Sequence, residues 1–386
     1  MENHHKEVKF ISRSILYSVV RGILVGVGVG LVVVAFRLAI EKIFELVIHL
    51  YHQAHDNTLY LLALILFYAF IILFVGQMIA KEPNAKGSGI PQVEAELKGM
   101  MSLKWWSVLW RKFLGGSLAI ASGLMLGREG PSIQLGAVTA KGIAEGLKAS
   151  KMEKRSLIAS GAAAGLAAAF NAPIAGLLFV VEEVYHQFSR LVWVSALAAS
   201  ITANFISLHV FGLTPVLQMP KDLPLLELSQ YWIYIALGLF LGLAGYFYEI
   251  VILRIQLLYG FLSKFIPIPA QYQSLFAFMF ILPVGYFLPE LLGGGHHLIL
   301  ELPHLQPSLM ALLFYLLIRF VWSMISYGAG LPGGIFLPIL TLGSLLGLAF
   351  GRLAFDLGWI GQNQLNLFIV LEIGRASCRE RVSSPV

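Results

Sequence analysis

The sequence is poor in cysteine and in charged residues. Cys378 is its single cysteine, which excludes an intramolecular disulfide framework and a metal cluster held by several thiolates. Asp, Glu, Lys and Arg together make up 12% of the 386 residues. In soluble domains, roughly a quarter of the residues are charged. This shortage of charge excludes a chain that is built from ordinary soluble domains.

The sequence also lacks the short motifs of several enzyme classes. It contains no His-Glu-x-x-His, no Gly-x-Ser-x-Gly and no pair of aspartates inside an apolar stretch. The ten histidines are scattered, and His296-His297 lack carboxylate or cysteine partners, so we interpret that pair as part of a loop and not as a metal site. The formal net charge of +6 comes from basic residues in loops, and no basic patch is interleaved with aromatic residues. We therefore expect no enzymatic activity, no cofactor or metal, and no nucleic-acid partner.

Long apolar stretches dominate the chain. Hydrophobic residues form 58% of the sequence, and the mean hydropathy is +0.79. A helix needs ~20 apolar residues to cross a bilayer. The stretches near this length include Ile15–Phe36, Leu59–Ile79, Leu191–Phe211, Tyr231–Leu253, Leu275–Leu292 and Leu309–Ile325. The pattern predicts an all-α, polytopic membrane protein.

Basic residues outside these stretches predict the topology. Lys6, Lys9 and Arg13 precede the first apolar stretch, so residues 1–14 are predicted to be a cytoplasmic N-terminal segment. That stretch is too long for the hydrophobic region of a cleavable signal peptide. The densest basic cluster is placed on the same side of the membrane, and its members are Lys141, Lys148, Lys151, Lys154 and Arg155.

A charged break interrupts the apolar sequence at Gly127–Pro131, which reads Gly-Arg-Glu-Gly-Pro. Pro131 suits the first turn of a following helix and is expected to push Gly130 towards an extended conformation. A carboxylate at membrane depth is costly and is usually functional, so Glu129 is a candidate site residue. The N–H groups at the start of the helix would make an anion site beside it.

Two further segments of the first half predict broken helices. Gly87–Pro91 reads Gly-Ser-Gly-Ile-Pro, where the glycines permit a tight backbone and Pro91 opens a helix. Gly161–Phe170 is rich in small residues, which let helices approach closely in lipid. Pro173 ends this run, and the next apolar run is too short to span before Glu182 and Glu183. Such half-length helices are tolerated inside protein or beside an aqueous cavity.

The second half contains a third break of the same design. Gly334, Pro338 and Gly343 repeat the spacing of Gly127, Pro131 and Gly136 with a constant offset (334 − 127 = 207). Paired broken helices in a polytopic chain are typical of transporters made from two related halves, with the site at the interface of the repeats.

The predicted boundaries follow from these patterns. The first membrane repeat covers residues 15–212, a polar loop covers 213–230, and the second repeat covers 231–373. The second repeat is expected to be incomplete, because no counterpart of the small-residue run follows Gly343. Residues 374–386 form an Arg-rich string that we interpret as an atypical, artefactually joined tail.

The three breaks, in this order, closely resemble signatures of the CLC family of chloride channels and chloride/proton antiporters. The resemblance covers residues 15–371, and Gly161–Pro173 and Gly176–Glu183 look like bacterial members. It implies a fold of two inverted helical repeats with broken and re-entrant helices. It also implies a homodimer with one pore per subunit, in the lipid bilayer of the bacterial inner (plasma) membrane. The family's last helices supply a tyrosine to the central anion, and this sequence ends before that motif.

The resemblance also assigns roles by position. Ser88 would donate its hydroxyl to the central anion, and the backbone N–H groups of Ile335 and Phe336 would donate from the second half. Glu129 would be the gating glutamate, and Glu183 the internal glutamate that passes protons to it. The motif glycines and prolines that shape these turns are Gly87, Gly89, Pro91, Gly127, Gly130, Pro131, Gly334 and Pro338.

Chloride/proton exchange is thus the leading hypothesis, with chloride and protons as substrates. A passive, gated chloride channel of the same fold is the nearest alternative, and Glu183 favours exchange. An intramembrane enzyme that uses Glu129 or Glu182/Glu183 as acid and base is a remote one. Three of the site residues also have a purely structural interpretation. Glu129 could pair with Arg128, Ser88 could cap a helix, and Glu183 could be a solvated helix end.

Overall fold

The computed structural model describes residues 2–185, 189–213, 216–217, 224, 226–305 and 307–371. These residues are almost entirely helical and contain no β-strand, only one isolated antiparallel bridge between Gly127 and Gly334. The predicted tail at 374–386 lies outside the described residues, as do parts of the predicted loop at 213–230.

Thirteen α-helices carry the described fold. They are α1 (Glu2–Ala54), α2 (Thr58–Lys81), α3 (Ile90–Lys98), α4 (Trp105–Ala121), α5 (Glu129–Gly146), α6 (Lys151–Phe170), α7 (Pro173–Phe179), α8 (Arg190–Phe211), α9 (Trp232–Phe265), α10 (Ser274–Phe287), α11 (His296–Leu305), α12 (Leu309–Gly328) and α13 (Phe336–Asp356). A π-helical turn, Val180–Tyr185, follows α7. Residues 365–371 form a final short helical segment.

Six of the described helices are long and apolar enough to cross a membrane. They cover Ser14–Ala54, Thr58–Lys81, Leu191–Phe211, Leu228–Phe265, Leu309–Gly328 and Phe336–Asp356. The chain is therefore a multi-pass membrane protein, as its composition predicted. Five of these segments contain predicted spans.

The remaining predicted span, Leu275–Leu292, is not one long helix. Its residues form α10, which has 14 residues and contains Pro283, and then a 3₁₀ turn at Pro289–Leu291. At about 1.5 Å per residue, α10 is about 21 Å long, which is shorter than the ~30 Å hydrocarbon layer. Hydropathy alone could not reveal this break, because the sequence stays apolar through it.

The chain divides into two compact units. The first contains Met1–Lys42, Met78–Ser117 and Arg128–Val216. The second contains Ile43–Gln77, Leu118–Gly127 and Leu217–Val386. The chain passes between units within α1, α2 and α4, and again just before α5. The division into repeats at residues 213–230 stays a prediction.

In the first unit, α5 and α6 pack with their backbones almost in contact. A Cβ atom added to Gly136 would overlap the carbonyl oxygen of Gly161, and one added to Gly165 would overlap that of Ser132. Alanines continue the interface, and among them Ala140, Ala164 and Ala168 are fully buried. The prediction that the small-residue run brings helices close together is confirmed.

One member of the predicted basic cluster is buried inside the first unit. Lys141 is 2% exposed, and its ammonium lies 2.8 Å from Glu96 Oε1 and 3.0 Å from Ser102 Oγ. Helix α5 continues past this residue to Gly146, and Lys141 contacts α3 and the segment that joins α3 to α4. The side of the membrane on which the cluster lies stays a prediction.

The second half of the sequence repeats the local structure of the first half more fully than the sequence signature suggested. α13 starts at Phe336, and α5 starts at Glu129, which is the same offset of 207 residues. Gly123 and Gly330 also share this offset, and both have a left-handed backbone, with φ of 91° and 70°. The bends that precede the two helices are therefore equivalent in conformation.

The α5–α6 interface gives a stability test. We expect Gly165→Val to destabilise the fold by about 1–3 kcal/mol, because the new side chain meets a backbone carbonyl that cannot move alone. The apparent Tm in detergent should fall. Gly146→Ala is the matched control, since no atom lies within 4 Å of its added Cβ. Equal Tm values for the two variants would contradict this packing.

Candidate functional site

A pair of backbone hydrogen bonds joins the two glycines that precede α5 and α13. The Gly127 N–H donates to the Gly334 carbonyl, and the Gly334 N–H donates to the Gly127 carbonyl, both at 2.7 Å. Both glycines belong to the second unit and are buried. Each is followed two residues later by the first residue of a helix. Each helix thus begins two residues after a bridged glycine.

Glu129 occupies the first turn of α5 and is 3% exposed. Pro131 lies in the same turn, as predicted, but Gly130 is helical and not extended. The usual clash of a proline ring with the preceding residue involves that residue's Cβ, which glycine lacks, so Gly130 can enter the helix. The helix therefore begins two residues before Pro131, with Glu129 as its first residue.

Ser88 lies directly against the start of α5. A Cβ atom added to Gly130 would lie 2.8 Å from Ser88 Cβ and 3.0 Å from the Ser88 carbonyl oxygen. The glycines on either side of Ser88 have left-handed backbones, with φ of 64° at Gly87 and 92° at Gly89. The structure thus brings two of the sequence motifs together within the first unit.

The hydroxyl of Ser88 also serves the local turn. Its Oγ accepts a hydrogen bond from the N–H of Ile90 at 3.4 Å, at the start of α3. Pro91 lies in the first turn of that helix, as its fixed φ favours. A hydroxyl that accepts one bond keeps its own hydrogen for another acceptor. The capping role and a ligand role are therefore compatible.

Two buried side chains that the sequence analysis missed hold the Ser88 loop. Lys112 on α4 is 0% exposed, and its Nζ donates to the carbonyls of Ala85 and Gly87 at 3.2 and 2.6 Å. Gln134 on α5 is also 0% exposed and donates to the Asn84 carbonyl at 2.8 Å. Lys112 has no carboxylate partner among the described residues, and its Nζ is held by the main-chain carbonyls of this loop.

Arg128, next to the candidate carboxylate, pairs with a residue of α1. Its Nη1 lies 2.9 Å from Glu41 Oε1, which also accepts from Arg37 Nε at 2.9 Å. The guanidinium of Arg37 lies over the ring of Phe211, 3.7 Å from its centroid. Arg128 is thus held by Glu41, and the cluster has an excess of one positive charge.

Glu182 and Glu183 lie on the π-helical turn Val180–Tyr185. Glu182 is exposed and Glu183 is partly buried. Val180, Val181 and Val184 of this turn pack with Val93 and Leu97 of α3, the helix that follows Ser88. π-helical turns are rare and occur often at functional sites.

Ile335 and Phe336 lie at the start of α13 in the second unit. Ile335 precedes the helix with φ −105° and ψ −8°, and Phe336 is its first residue. Both side chains are partly buried. The first N–H groups of a helix have no acceptor within it, and Pro338 in this turn has no N–H. The backbone N–H groups of Ile335 and Phe336 therefore lie at the N-terminal end of α13.

Within the described ranges, no three His, Cys, Asp or Glu side chains are placed to share a metal ion. His296 and His297 start α11, and the His297 ring stacks on Phe44 with centroids 6.4 Å apart. The ring of His297 therefore packs on an aromatic side chain of the same unit.

The sequence is similar to a known protein family and to curated transporters. Residues 69–374 match the family described as voltage gated chloride channel. The H(+)/Cl(-) exchange transporter ClcA of Salmonella arizonae is 34% identical over 340 residues, which is 86% of this chain and 71% of that protein. The transporter of the same name from Salmonella paratyphi B is 35% identical over 342 residues, with the same coverage.

Solved structures are similar over nearly the whole chain. A slow cyanobacterial Cl⁻/H⁺ antiporter superposes with a TM-score of 0.85 at 27% identity, covering 94% of this chain and 85% of that one. A CLC-type fluoride/proton antiporter superposes with a TM-score of 0.73 at 21% identity, covering 96% and 87%, and this likeness shows the fold alone. The predicted all-α CLC fold is confirmed, and the chain belongs to the voltage-gated chloride channel (CLC) family.

Proposed function

We propose that the protein exchanges chloride for protons across the membrane, as a secondary active transporter. Relatives at 34% and 35% identity are H(+)/Cl(-) exchange transporters, which supports this substrate pair. The observation that carries the proposal is the buried carboxylate of Glu129 in the first turn of α5, where Ser88 packs on Gly130.

Glu129 acts as the gate in this proposal. A carboxylate and a chloride ion compete for the same positive helix end and N–H donors. Protonation removes the negative charge of Glu129, so chloride can occupy the position. Proton binding and chloride binding are therefore linked at one residue.

The anion donors are the Ser88 hydroxyl and the backbone N–H groups of Ile335 and Phe336. Ser88 is supported by its position against Gly130 and by the buried Lys112, which holds its loop through the carbonyls of Ala85 and Gly87. Ile335 and Phe336 are supported by the equivalence of α13 and α5 in the internal repeat. Motif glycines and prolines shape these turns without binding the anion themselves.

Glu183 is the internal glutamate, and it passes protons to Glu129. Its support is its partly buried position on a π-helical turn that packs against α3. We also propose that the protein is a homodimer in the bacterial inner membrane with a cytoplasmic N-terminus. The basic residues before the first span support that orientation.

Coupled transport can be tested in liposomes that contain the purified protein and both ion electrodes. An imposed chloride gradient should drive protons uphill. Chloride flux without proton movement would instead indicate a passive channel, and hydrolytic activity without flux would indicate an enzyme. Competition by fluoride and nitrate in the same assay measures anion selectivity.

We expect Glu129→Gln to abolish proton coupling while chloride flux continues, because glutamine is neutral and cannot carry a proton. Wild-type flux should rise as the pH falls, since acid protonates Glu129. Flux through the variant should not depend on pH. Proton pumping that persists in Glu129→Gln would rule out this role.

Glu183→Gln should reduce proton movement by at least about tenfold while chloride flux remains, because a carrier group is lost from the proton path. Glu182→Gln is the matched control, since the adjacent Glu182 is exposed. Both variants can be measured in the liposome assay. Loss of coupling in Glu182→Gln alone would transfer the role to that residue.

A further inference from the structure

A buried arginine in the second unit has hydrogen-bond donors that no described residue accepts. Arg319 on α12 is 1% exposed, and its Nη1 donates to the carbonyls of Leu291 and Gly293 at 2.8 and 2.7 Å. Its Nε and Nη2 are also buried, and no atom of the described residues accepts a hydrogen bond from them. No carboxylate among the described residues pairs with this guanidinium.

Such an arrangement is unfavourable without a further partner. A buried charge is costly unless it is paired and its hydrogen bonds are made. The two carbonyls satisfy one nitrogen of Arg319 but bring only partial negative charge. An anion would supply both the missing acceptor and the missing counter-charge.

The unsatisfied edge of Arg319 faces the start of α11. Gly295 precedes this ten-residue helix and has a left-handed backbone with φ 95°. A Cβ atom added to Gly295 would overlap Arg319 Nη2 and Thr341 Oγ1. The guanidinium therefore lies beside the first turn of α11, where backbone N–H groups and the helix dipole also favour negative charge.

The internal repeat relates Arg319 to Lys112 of the first repeat. Arg319 follows Lys112 by the same offset of 207 residues, and each is a buried basic side chain that donates to two carbonyls of a glycine-containing loop. The Lys112 loop carries Ser88 and leads into α3, whereas the Arg319 loop leads into α11. The two loops are counterparts in the two repeats.

We propose that Arg319 and the first-turn amides of α11 bind a small monovalent anion of the halide type. This site lies within the second unit and does not include Glu129 or Ser88. The inference follows from the guanidinium geometry. It holds equally if transport is coupled or passive.

The test uses bromide as the probe. Crystals of the full chain grown in detergent with sodium bromide should show an anomalous peak within about 3.5 Å of Arg319 Nε or Nη2. Bromide peaks elsewhere in the same crystals, with none at Arg319, would overturn the proposal. This measurement needs no variant and no transport activity, so it is independent of the liposome assay.

Arg319→Met should abolish the peak and weaken chloride binding in calorimetric titration by about tenfold or more, since charge-assisted hydrogen bonds are lost. Arg319→Lys should keep much of the affinity because it keeps the charge. Arg352→Met is the control, since Arg352 is partly exposed and pairs with Asp356 at 3.4 Å. A peak that remains in Arg319→Met marks an adventitious ion and refutes the assignment.

Discussion

The mutual pair of hydrogen bonds between Gly127 and Gly334 is the constraint on which the site depends. Each glycine of this bridge leads within two residues into a helix. Glu129 is the first residue of α5 and Phe336 is the first residue of α13, so both helix starts follow a bridged glycine at the same distance along the chain.

Much of this local structure could be predicted from the sequence because it depends on local chemistry. Left-handed glycines, prolines in first helical turns and the small-residue face of α6 all have short-range signatures. The conformation of Gly130 was predicted wrongly, because the rule for residues before proline assumes a Cβ. The site roles of Ser88, Glu129, Glu183, Ile335 and Phe336 stay predictions.

The buried cations had no such signature. A lysine near the end of an apolar stretch normally extends its ammonium to the membrane surface, so the sequence gives no reason to expect that Lys112 is buried. Its acceptors are main-chain carbonyls 25 and 27 residues away, and any residue type supplies a carbonyl. In the sequence, Lys112 and Arg319 are related only by the constant repeat offset of 207 residues. In the structure, both side chains are buried.

The tight packing around α5 limits how its first turn can move. One face of this helix touches the backbone of α6 at Gly136 and Gly161, and its start touches Ser88 at Gly130. A rigid shift of α5 would need these main-chain contacts to break together. Rotation about the side-chain torsions of Glu129 needs none of them to break. In the proposed gating role, the carboxylate of Glu129 therefore moves by a change of rotamer and needs no shift of α5.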